Sequence, residues 1–343
     1  MKDKTGRVFK SGIALPYCIS YPAFPSLTLA RLIYKENASA FNHIEDARDA
    51  VRYVRGKRGK ENKERATAAF APYFDKEERA KNPYVLPDSW AHPKEVYKLP
   101  TGNNRIGFIS DAQVPFHDND AIEASYAWLK KRGVNTLLIN GDWIDFYGLS
   151  HFQKDPRDRD FKQEYNHILQ SFEHLRHHFP NIDIFYNLQA NHELRYEKFM
   201  MLKAPELLSL KLPEMDLESV LRLRLFEIRP IKRVDHIKIG NLPALHGHTI
   251  FTGQTSPVST ARTVFMKTNQ SAIASHCHQT NEYTSKTLEG KLMTTWTTGC
   301  LMNLNVEYNP HNNKYNHGFA YIETDKNGDF HVENKRIDNG RVL

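Results

Sequence analysis

The sequence has few cysteines. Only three occur among its 343 residues, at positions 18, 277 and 300. They are too few and too scattered to form the disulfide framework on which small secreted proteins depend. We therefore expect the chain to work in a reducing, cytoplasmic setting.

Long apolar runs are also missing. No stretch approaches the roughly 18 apolar residues that a membrane-spanning helix needs. The basic N-terminus is followed by a segment that prolines at positions 16, 22 and 25 interrupt, so it makes a poor signal peptide. The sequence also has no internal repeat and no low-complexity tract. These absences argue against a membrane protein and against a repeat architecture.

Most of the chain lacks a net charge of either sign. Residues 1–65 hold 14 Lys and Arg against 7 Asp and Glu, whereas the remaining 278 residues hold 33 of each. The first segment therefore supplies the whole net charge of +7. This asymmetry indicates an anionic partner for residues 1–65, and a solvated basic surface is the alternative.

Residues 1–65 contain two helical patterns. Ser26 is placed to cap the first, LTLARLIYKE. The second, NHIEDARDAVRYVRG, has an apolar stripe of Ile44, Ala47, Val51 and Val54. The basic residues expected to contact nucleic acid are Arg48, Arg52, Arg55, Lys57 and Arg58. Two short helices of this kind have the outline of a helix-turn-helix, and a plain helical appendage stays open as the alternative.

The rest of the chain divides into a linker and a body. Five prolines lie in residues 66–104, which we interpret as a linker that wraps the body. In residues 105–343 strands and helices alternate. Helices are predicted over 119–131, capped by Asp118, and over 160–179, and strands over 135–140 and 182–188. A strand-rich region follows residue 226, so we expect a layered α/β fold. The histidines at 167, 174, 177 and 178 follow the helical pattern and are interpreted as a solvated face.

Polar residues follow five apolar runs in the body. Each run reads as a buried strand, and each polar group stands beside a small residue. The polar residues are Asp111, Gln113, Asp142, Asp145, Asn191, His192, Glu193, His246, His248, His276 and His278. Any one of them alone is a weak signal, because single histidines and Gly-Asp pairs are common in turns. Five in order predict a shared site at the strand ends.

This set resembles the calcineurin-like metallophosphoesterase family, whose pattern is D-x-H, G-D-x-x-D, G-N-H-[DE], a lone H before G, and G-H-x-H. The counterparts here are DAQ, GDWID, ANHE, the HG of LHGH, and SHCH. The resemblance covers about residues 105–280, and the chain looks like phosphoesterases of bacteriophage genomes. It implies a four-layer αββα sandwich with a helical segment before it.

The resemblance also implies a site with two divalent cations and assigns roles to its residues. Asp142 would be shared by the cations, and a hydroxide bridging them would be the nucleophile. His192 would stand at the phosphate, oriented by Asp145, and His248 would line the pocket. The ligands of one cation would be Asp111, Gln113 and His278, and those of the other Asn191, His246 and His276. Manganese is the expected metal, with iron, zinc and nickel as alternatives.

The sequence departs from the family pattern at Gln113, where histidine is usual. The glutamine offers a neutral amide oxygen, a harder donor than imidazole. One interpretation is a weaker site that favours Mn²⁺, and the other is a degraded site. We expect activity to be retained, because every other ligand position holds a competent residue. Ala190 and Ser275 replace two glycines of the pattern and remove no ligand.

The family hydrolyses many phosphate esters, and the metal core does not distinguish them. Residues 1–65 lead us to expect a phosphodiesterase or nuclease acting on DNA, related at its metal core to DNA-repair exonucleases. One alternative is a phosphatase acting on nucleotides or phosphoproteins. Another is a nucleic-acid-binding protein with an impaired site. We expect DNA as partner, no membrane, and the host cytoplasm as location if a phage encodes the chain; a homodimer stays open.

Overall fold

The computed structural model describes residues 9–56, 89–91, 95–151, 157, 160–252, 258–306 and 313–343. The chain divides into two compact units, Met1–His92 and Pro93–Leu343. We refer to these as the N-terminal unit and the body. Among the described residues, no helix is both long enough and apolar enough to cross a membrane.

The described part of the N-terminal unit contains three α-helices. They are α1 (Lys10–Ser20), α2 (Ser26–Glu36) and α3 (Ile44–Val54). Side chains from all three helices, together with Phe41 before α3, form one buried cluster. Its members are Ala14, Cys18, Leu29, Ala30, Ile33, Phe41, Ala47, Ala50 and Val51. The helices therefore pack as a bundle around their own small core.

Helix α1 was not predicted from the sequence. Pro16 lies inside it, and an interior proline removes a backbone hydrogen bond, so the local pattern argued against a helix. The cap assigned to α2 is also wrong, because Ser26 is the first helical residue and its side chain caps nothing. Of the stripe predicted on α3, Ala47 and Val51 are buried, but Ile44 is 37% exposed.

The described strands of the body form two sheets. In chain order the strands are β1 (Glu95–Lys98), β2 (Asn104–Ile109), β3 (Thr136–Ile139), β4 (Asp183–Asn187), β5 (Ile228–Ile231), β6 (Val234–Ile239), β7 (Leu242–Leu245), β8 (Ala272–Ala274), β9 (Asn281–Lys286), β10 (Leu292–Thr297), β11 (His317–Thr324), β12 (Phe330–Asp338) and β13 (Arg341–Val342). One sheet has seven strands in the order β13-β12-β11-β2-β3-β4-β5, and the other has six in the order β1-β6-β7-β8-β10-β9. Neighbouring strands from β2 to β5 run parallel.

The described helices of the body are α4 (Asn119–Lys131), α5 (Phe161–His178), α6 (Glu193–Lys203), α7 (Pro205–Ser209), α8 (Leu217–Val220) and α9 (Thr260–Thr268). Asp118 caps α4 as predicted, since its side chain accepts a hydrogen bond from the Ala121 N–H at 2.9 Å. The predicted bounds of α4, α5, β3 and β4 agree with the structure to within one residue. Helix α9 was missed, because a strand-rich region was expected after residue 226.

The two faces of the seven-stranded sheet have different neighbours. Along β3, Leu137 and Ile139 join a core with side chains of α4 and α5, whereas Leu138 joins side chains of the second sheet, such as Ile237 and Ile273. Alternate residues of a strand point to opposite faces, so this sheet has helices on one side and a sheet on the other. Side chains of α9 pack on β8 of the six-stranded sheet. The predicted α/β sandwich of four layers is therefore confirmed.

The predicted linker, residues 66–104, ends earlier than the sequence indicates. Strand β1 lies within this range and pairs with β6 in parallel, so residues 95–98 form an edge strand of the six-stranded sheet. Along the chain, the boundary between the two units falls between His92 and Pro93. Residues 66–88 lie outside the described residues, and the prediction for them stays untested.

Candidate metal centre

The residues predicted to bind metal come together where five strands of the body end. Asp111 and Gln113 follow β2, and Asp142 and Asp145 follow β3. Asn191 and His192 come after β4, directly before α6. The remaining histidines follow β7 and β8: His246, His248, His276 and His278. Loops at the carboxyl ends of parallel strands are where open α/β sheets place their sites.

The backbone is unusual at these strand ends. Five of the predicted ligands have left-handed φ angles between 47° and 71°: Asp111, Gln113, Asp142, His276 and His278. Each such residue other than glycine is strained by about 1 kcal/mol or more, and strain of this kind is concentrated at functional sites. The fold therefore holds these side chains in positions that an unconstrained chain would avoid.

The first ligand cluster is built around Asp142. Its Oδ2 atom lies 3.0 Å from His246 Nε2 and 3.9 Å from His276 Nδ1. Asn191 Oδ1 lies 3.2 Å from the same His246 nitrogen. Asp142 is fully buried, and His246 is 4% exposed. A carboxylate, an amide oxygen and two imidazoles thus face one small volume.

The tautomer of His246 is fixed by the backbone. Its Nδ1 lies 3.0 Å from the Asn140 carbonyl oxygen, which only accepts hydrogen bonds, so Nδ1 carries a proton. In neutral His246 the lone pair on Nε2 then points toward Asp142 Oδ2 and Asn191 Oδ1. Burial opposes a charged imidazole, but Asp142 outweighs burial and raises the pKa of His246 to about 9. The cluster therefore requires positive charge, from a second proton on His246 or from a cation.

The second cluster contains Asp111, Gln113 and His278. His278 Nε2 lies 3.2 Å from Asp111 Oδ1 and 3.4 Å from the amide nitrogen of Gln113. A half-turn of that amide would bring its oxygen to the same place. The other oxygen of Asp111 accepts a hydrogen bond from the His276 N–H at 3.2 Å. His276 therefore joins the clusters, since its side chain faces Asp142.

Within the two clusters, two buried carboxylate oxygens have no aligned hydrogen-bond donor among the described residues, Asp111 Oδ1 and Asp142 Oδ2. Burial alone would raise the pKa of each acid. Neighbouring histidines outweigh it, mainly His278 for Asp111 and His192 with His246 for Asp142, and both pKa values are lowered. Ionised, buried oxygens without donors fit a cation. The residues present thus suit the metal site that the sequence predicts.

His192 lies beside the first cluster. Its backbone N–H donates to Asp142 Oδ1 at 3.0 Å, and its ring nitrogen Nδ1 lies 3.4 Å from Asp145 Oδ2. Burial would lower the pKa of His192, but the negative charges of Asp142 and Asp145 outweigh it and raise the pKa. Asp145 therefore stands where it orients the imidazole.

Sequence reasoning missed Arg195. One guanidinium nitrogen donates to both the carbonyl oxygen and Oδ1 of Asp145, each at 2.7 Å. The other lies 3.2 Å from His192 Nε2. The signal was available, because His192 is the residue directly before α6 and Arg195 follows it by three residues, a spacing that brings side chains to the same side of a helix.

Glu193 was named in the sequence pattern without a role. Its two carboxylate oxygens accept hydrogen bonds from the N–H groups of Asp142 and Trp143, both at 3.0 Å. The Tyr186 hydroxyl donates to it at 2.5 Å. Burial and the nearby Asp142 charge raise the pKa of Glu193 to about 7. Glu193 thus ties the start of α6 to the loop that carries Asp142.

His248 lies next to the clusters. Its ring centroid is 5.6 Å from that of His246 and 6.3 Å from that of His276. Burial, together with those histidines, lowers the pKa of His248 to about 4, so the ring is neutral at pH 7. It lines a cavity of about 210 Å³ with Gln189 and His236. A small ligand group has room there.

The predicted nucleic-acid residues belong to the N-terminal unit, and the described ones have partners within it. Arg48 lies 3.2 Å from Glu45, and Arg52 is 3.7 Å from Asp49. Arg55 donates to backbone carbonyls of the segment between α1 and α2, among them Pro22 at 3.0 Å. The other residues of this prediction, Lys57 and Arg58, lie outside the described residues. Contact with nucleic acid stays a prediction.

No protein-family model matches the sequence, and no curated protein matches it. Solved structures are similar at low identity. Vacuolar Protein Sorting 29 from Cryptosporidium parvum is 11% identical with a TM-score of 0.37, covering 71% of this chain and 95% of that one. Wild-type Vps29 complexed with zinc from Entamoeba histolytica is 11% identical with a TM-score of 0.36, covering 70% and 96%. The phosphoesterase Yfce from E. coli is 13% identical with a TM-score of 0.27, covering 67% and 98%. At these values the likenesses establish no shared activity.

Proposed function

We propose that the body is a metal-dependent phosphoesterase that binds two divalent cations. One observation carries the proposal: acceptor atoms from five strand ends converge in a buried volume, where Asp111 Oδ1 and Asp142 Oδ2 have no aligned donor among the described residues. Carboxylate, amide and imidazole ligands together suit manganese, iron, zinc or nickel. Two adjacent clusters of such ligands fit a pair of cations.

The residues would divide between the cations as the family resemblance implies. Asn191, His246 and His276 would hold one cation, Asp111, Gln113 and His278 the other, and Asp142 would be shared. When bound, the cations supply Lewis acidity and lower the pKa of a water molecule between them. The ligand residues fix the positions of the charges before substrate arrives, which is the source of most electrostatic catalysis.

His192 and Arg195 act on the phosphoryl group. Their polar nitrogens lie 3.2 Å apart, and the raised pKa of His192 favours its charged form. Two positive groups at this distance repel each other, and an anion that contacts both would offset the repulsion, so a phosphoryl oxygen would be favoured beside them. His192 is then placed to give its proton to the departing oxygen of the ester.

For the substrate we propose a phosphodiester, with DNA as the first candidate. The charge excess of residues 1–65 supports an anionic macromolecule. The paired arginines of α3 weaken this support, since each has a carboxylate or a carbonyl as neighbour. Small monoesters are the competing substrates, because the cavity beside His248 is small.

The test uses the full chain, stripped of metal and reloaded with Mn²⁺. It would be assayed on p-nitrophenyl phosphate, bis-p-nitrophenyl phosphate, and single- and double-stranded DNA. We expect turnover of the diester, its loss in His192→Ala, and two bound cations per chain. Diester and DNA turnover together would support a nuclease, and turnover of the monoester alone would favour the phosphatase.

An inactive protein would contradict the proposal if it binds no cation. If it binds cations without turnover, Gln113→His separates the remaining cases. Gain of turnover in this variant would mean that glutamine has impaired a phosphoesterase site. No gain would leave a cation-binding body without this chemistry, and the enzyme proposal would be wrong.

A further inference from the structure

A second group of metal-binding side chains lies between helices α4 and α5. Glu123 comes from α4, and His174 and His178 come from α5, where they are one helical turn apart. The sequence indicated a solvated face for these histidines. The structure agrees, since the side chain of His174 is 43% exposed and that of His178 is 21% exposed, and it brings both of them to the same carboxylate.

Only one of the two imidazoles lies at hydrogen-bond distance from the carboxylate. Glu123 Oε1 is 2.8 Å from His174 Nε2 and 3.8 Å from His178 Nε2. The first distance is a hydrogen bond, but the second is too long for one. Ligands about 2.1 Å from a tetrahedral zinc ion lie about 3.4 Å from each other. The two observed distances fall on either side of that value, so a small shift of Glu123 would complete three ligands.

Both imidazole rings pack against one buried aromatic side chain. Tyr126 is fully buried, and its ring centroid lies 5.8 Å from that of His174 and 5.3 Å from that of His178. The ring centroids of the two imidazoles are 4.4 Å apart. An aromatic side chain fixed in the core thus limits the rotation of both rings, which lowers the entropy lost when they bind an ion.

We propose that Glu123, His174 and His178 bind one divalent transition-metal ion, with Zn²⁺ as the best match and Ni²⁺ and Cu²⁺ as related candidates. Three protein ligands leave a fourth position for water. The ion would join α4 to α5 across the face of the seven-stranded sheet. The proposal is independent of the phosphoesterase site, since it shares no residue with the two clusters there.

The test is to count zinc ions. The full chain, stripped of metal, would be dialysed against graded free Zn²⁺, and bound zinc would be measured together with the melting temperature. We expect His174→Ala and Glu123→Gln each to bind one equivalent fewer than the natural protein, with a smaller zinc-induced rise in melting temperature. His177→Ala is the matched control, because it removes a histidine of α5 outside the group.

Equal zinc stoichiometry in the natural protein, His174→Ala and Glu123→Gln would overturn the proposal. So would an equal loss in His177→Ala, which would indicate general surface binding. Glu123→Gln keeps the shape of the side chain, so it remains informative if His174→Ala folds poorly. Turnover of phosphate esters with Mn²⁺ should be unchanged in both variants.

Discussion

The two units of the chain differ in how deeply their charged groups are buried. In the body, Asp111 and Asp142 are fully buried, and each keeps one oxygen without an aligned donor among the described residues. In the N-terminal unit, Arg48 pairs with Glu45 and Lys10 pairs with Asp46 near the surface. The body thus buries acids beside imidazoles, whereas these ion pairs of the N-terminal unit are partly exposed.

The difference matters because a buried charge and an exposed ion pair change the free energy of folding by different amounts. A buried charge without a partner costs several kcal/mol, so a fold keeps it only where something else compensates. An exposed ion pair contributes about 0–1 kcal/mol and indicates little about function. The body thus gives strong physical grounds for a cation site, whereas the arginines of α3 give weak grounds for a nucleic-acid site.

The largest effect is expected for Asp142→Asn, which removes the buried charge at the centre of the first cluster. The protein should bind fewer than two cations, and diester turnover should fall by at least about 10³-fold, since the shared ligand and the charge beside His192 are both lost. Metal content and steady-state rates measure this. Asp183→Asn, on an exposed acid of β4, is the control, and two bound cations in Asp142→Asn would show that the carboxylate is not shared.

His192→Ala separates chemistry from cation binding. We expect kcat to fall about 10²–10³-fold, the usual range for a lost general acid, while both cations stay bound. The reason is that His192 contacts Asp142 and Asp145 but belongs to neither ligand cluster. His331→Ala, on an exposed residue of β12, should leave kcat unchanged. Loss of a cation in His192→Ala would instead make this histidine a ligand.

Gln113→His tests whether the two ligand clusters of the body differ in cation affinity. The cluster with Gln113 has one imidazole where the cluster around Asp142 has two, so it should hold its cation more weakly. We expect the weaker cation to bind about 10-fold more tightly in Gln113→His, measured by titration of the stripped protein with Mn²⁺. Gln163→His on α5 is the control. Unchanged binding would place Gln113 outside the ligand set.

Much of the fold could be predicted from the sequence, because hydrophobic patterns and local caps agree with it. Asp118 capping α4 is one example, and the continuous apolar runs of β3 and β4 are others. The failures have local causes. Pro16 concealed α1, and β1 has only one partly buried residue among its four, so its pattern carries little hydrophobic signal.

The site was predictable as a set of residues but not as a geometry. Strand ends with Asp, Asn and His indicated which side chains converge, and resemblance supplied their roles. Hydrogen bonds between distant segments could not be seen, such as Glu193 with the Asp142 N–H or Arg195 with Asp145. The left-handed backbone of Asp111 and Asp142 was also invisible, because only packing against the rest of the fold imposes it.

The smallest effect is expected in the N-terminal unit. Arg48→Gln with Arg52→Gln should lower DNA turnover only about two- to five-fold, because Glu45 and Asp49 already offset these charges, and exposed charges of this kind are worth about 1 kcal/mol or less. Turnover of bis-p-nitrophenyl phosphate should not change. Arg31→Gln with Lys35→Gln removes the same charge from α2 and is the control. A far larger, DNA-specific loss in the α3 variant alone would make α3 the nucleic-acid contact, and equal small losses in both variants would reduce the N-terminal unit to a general basic surface.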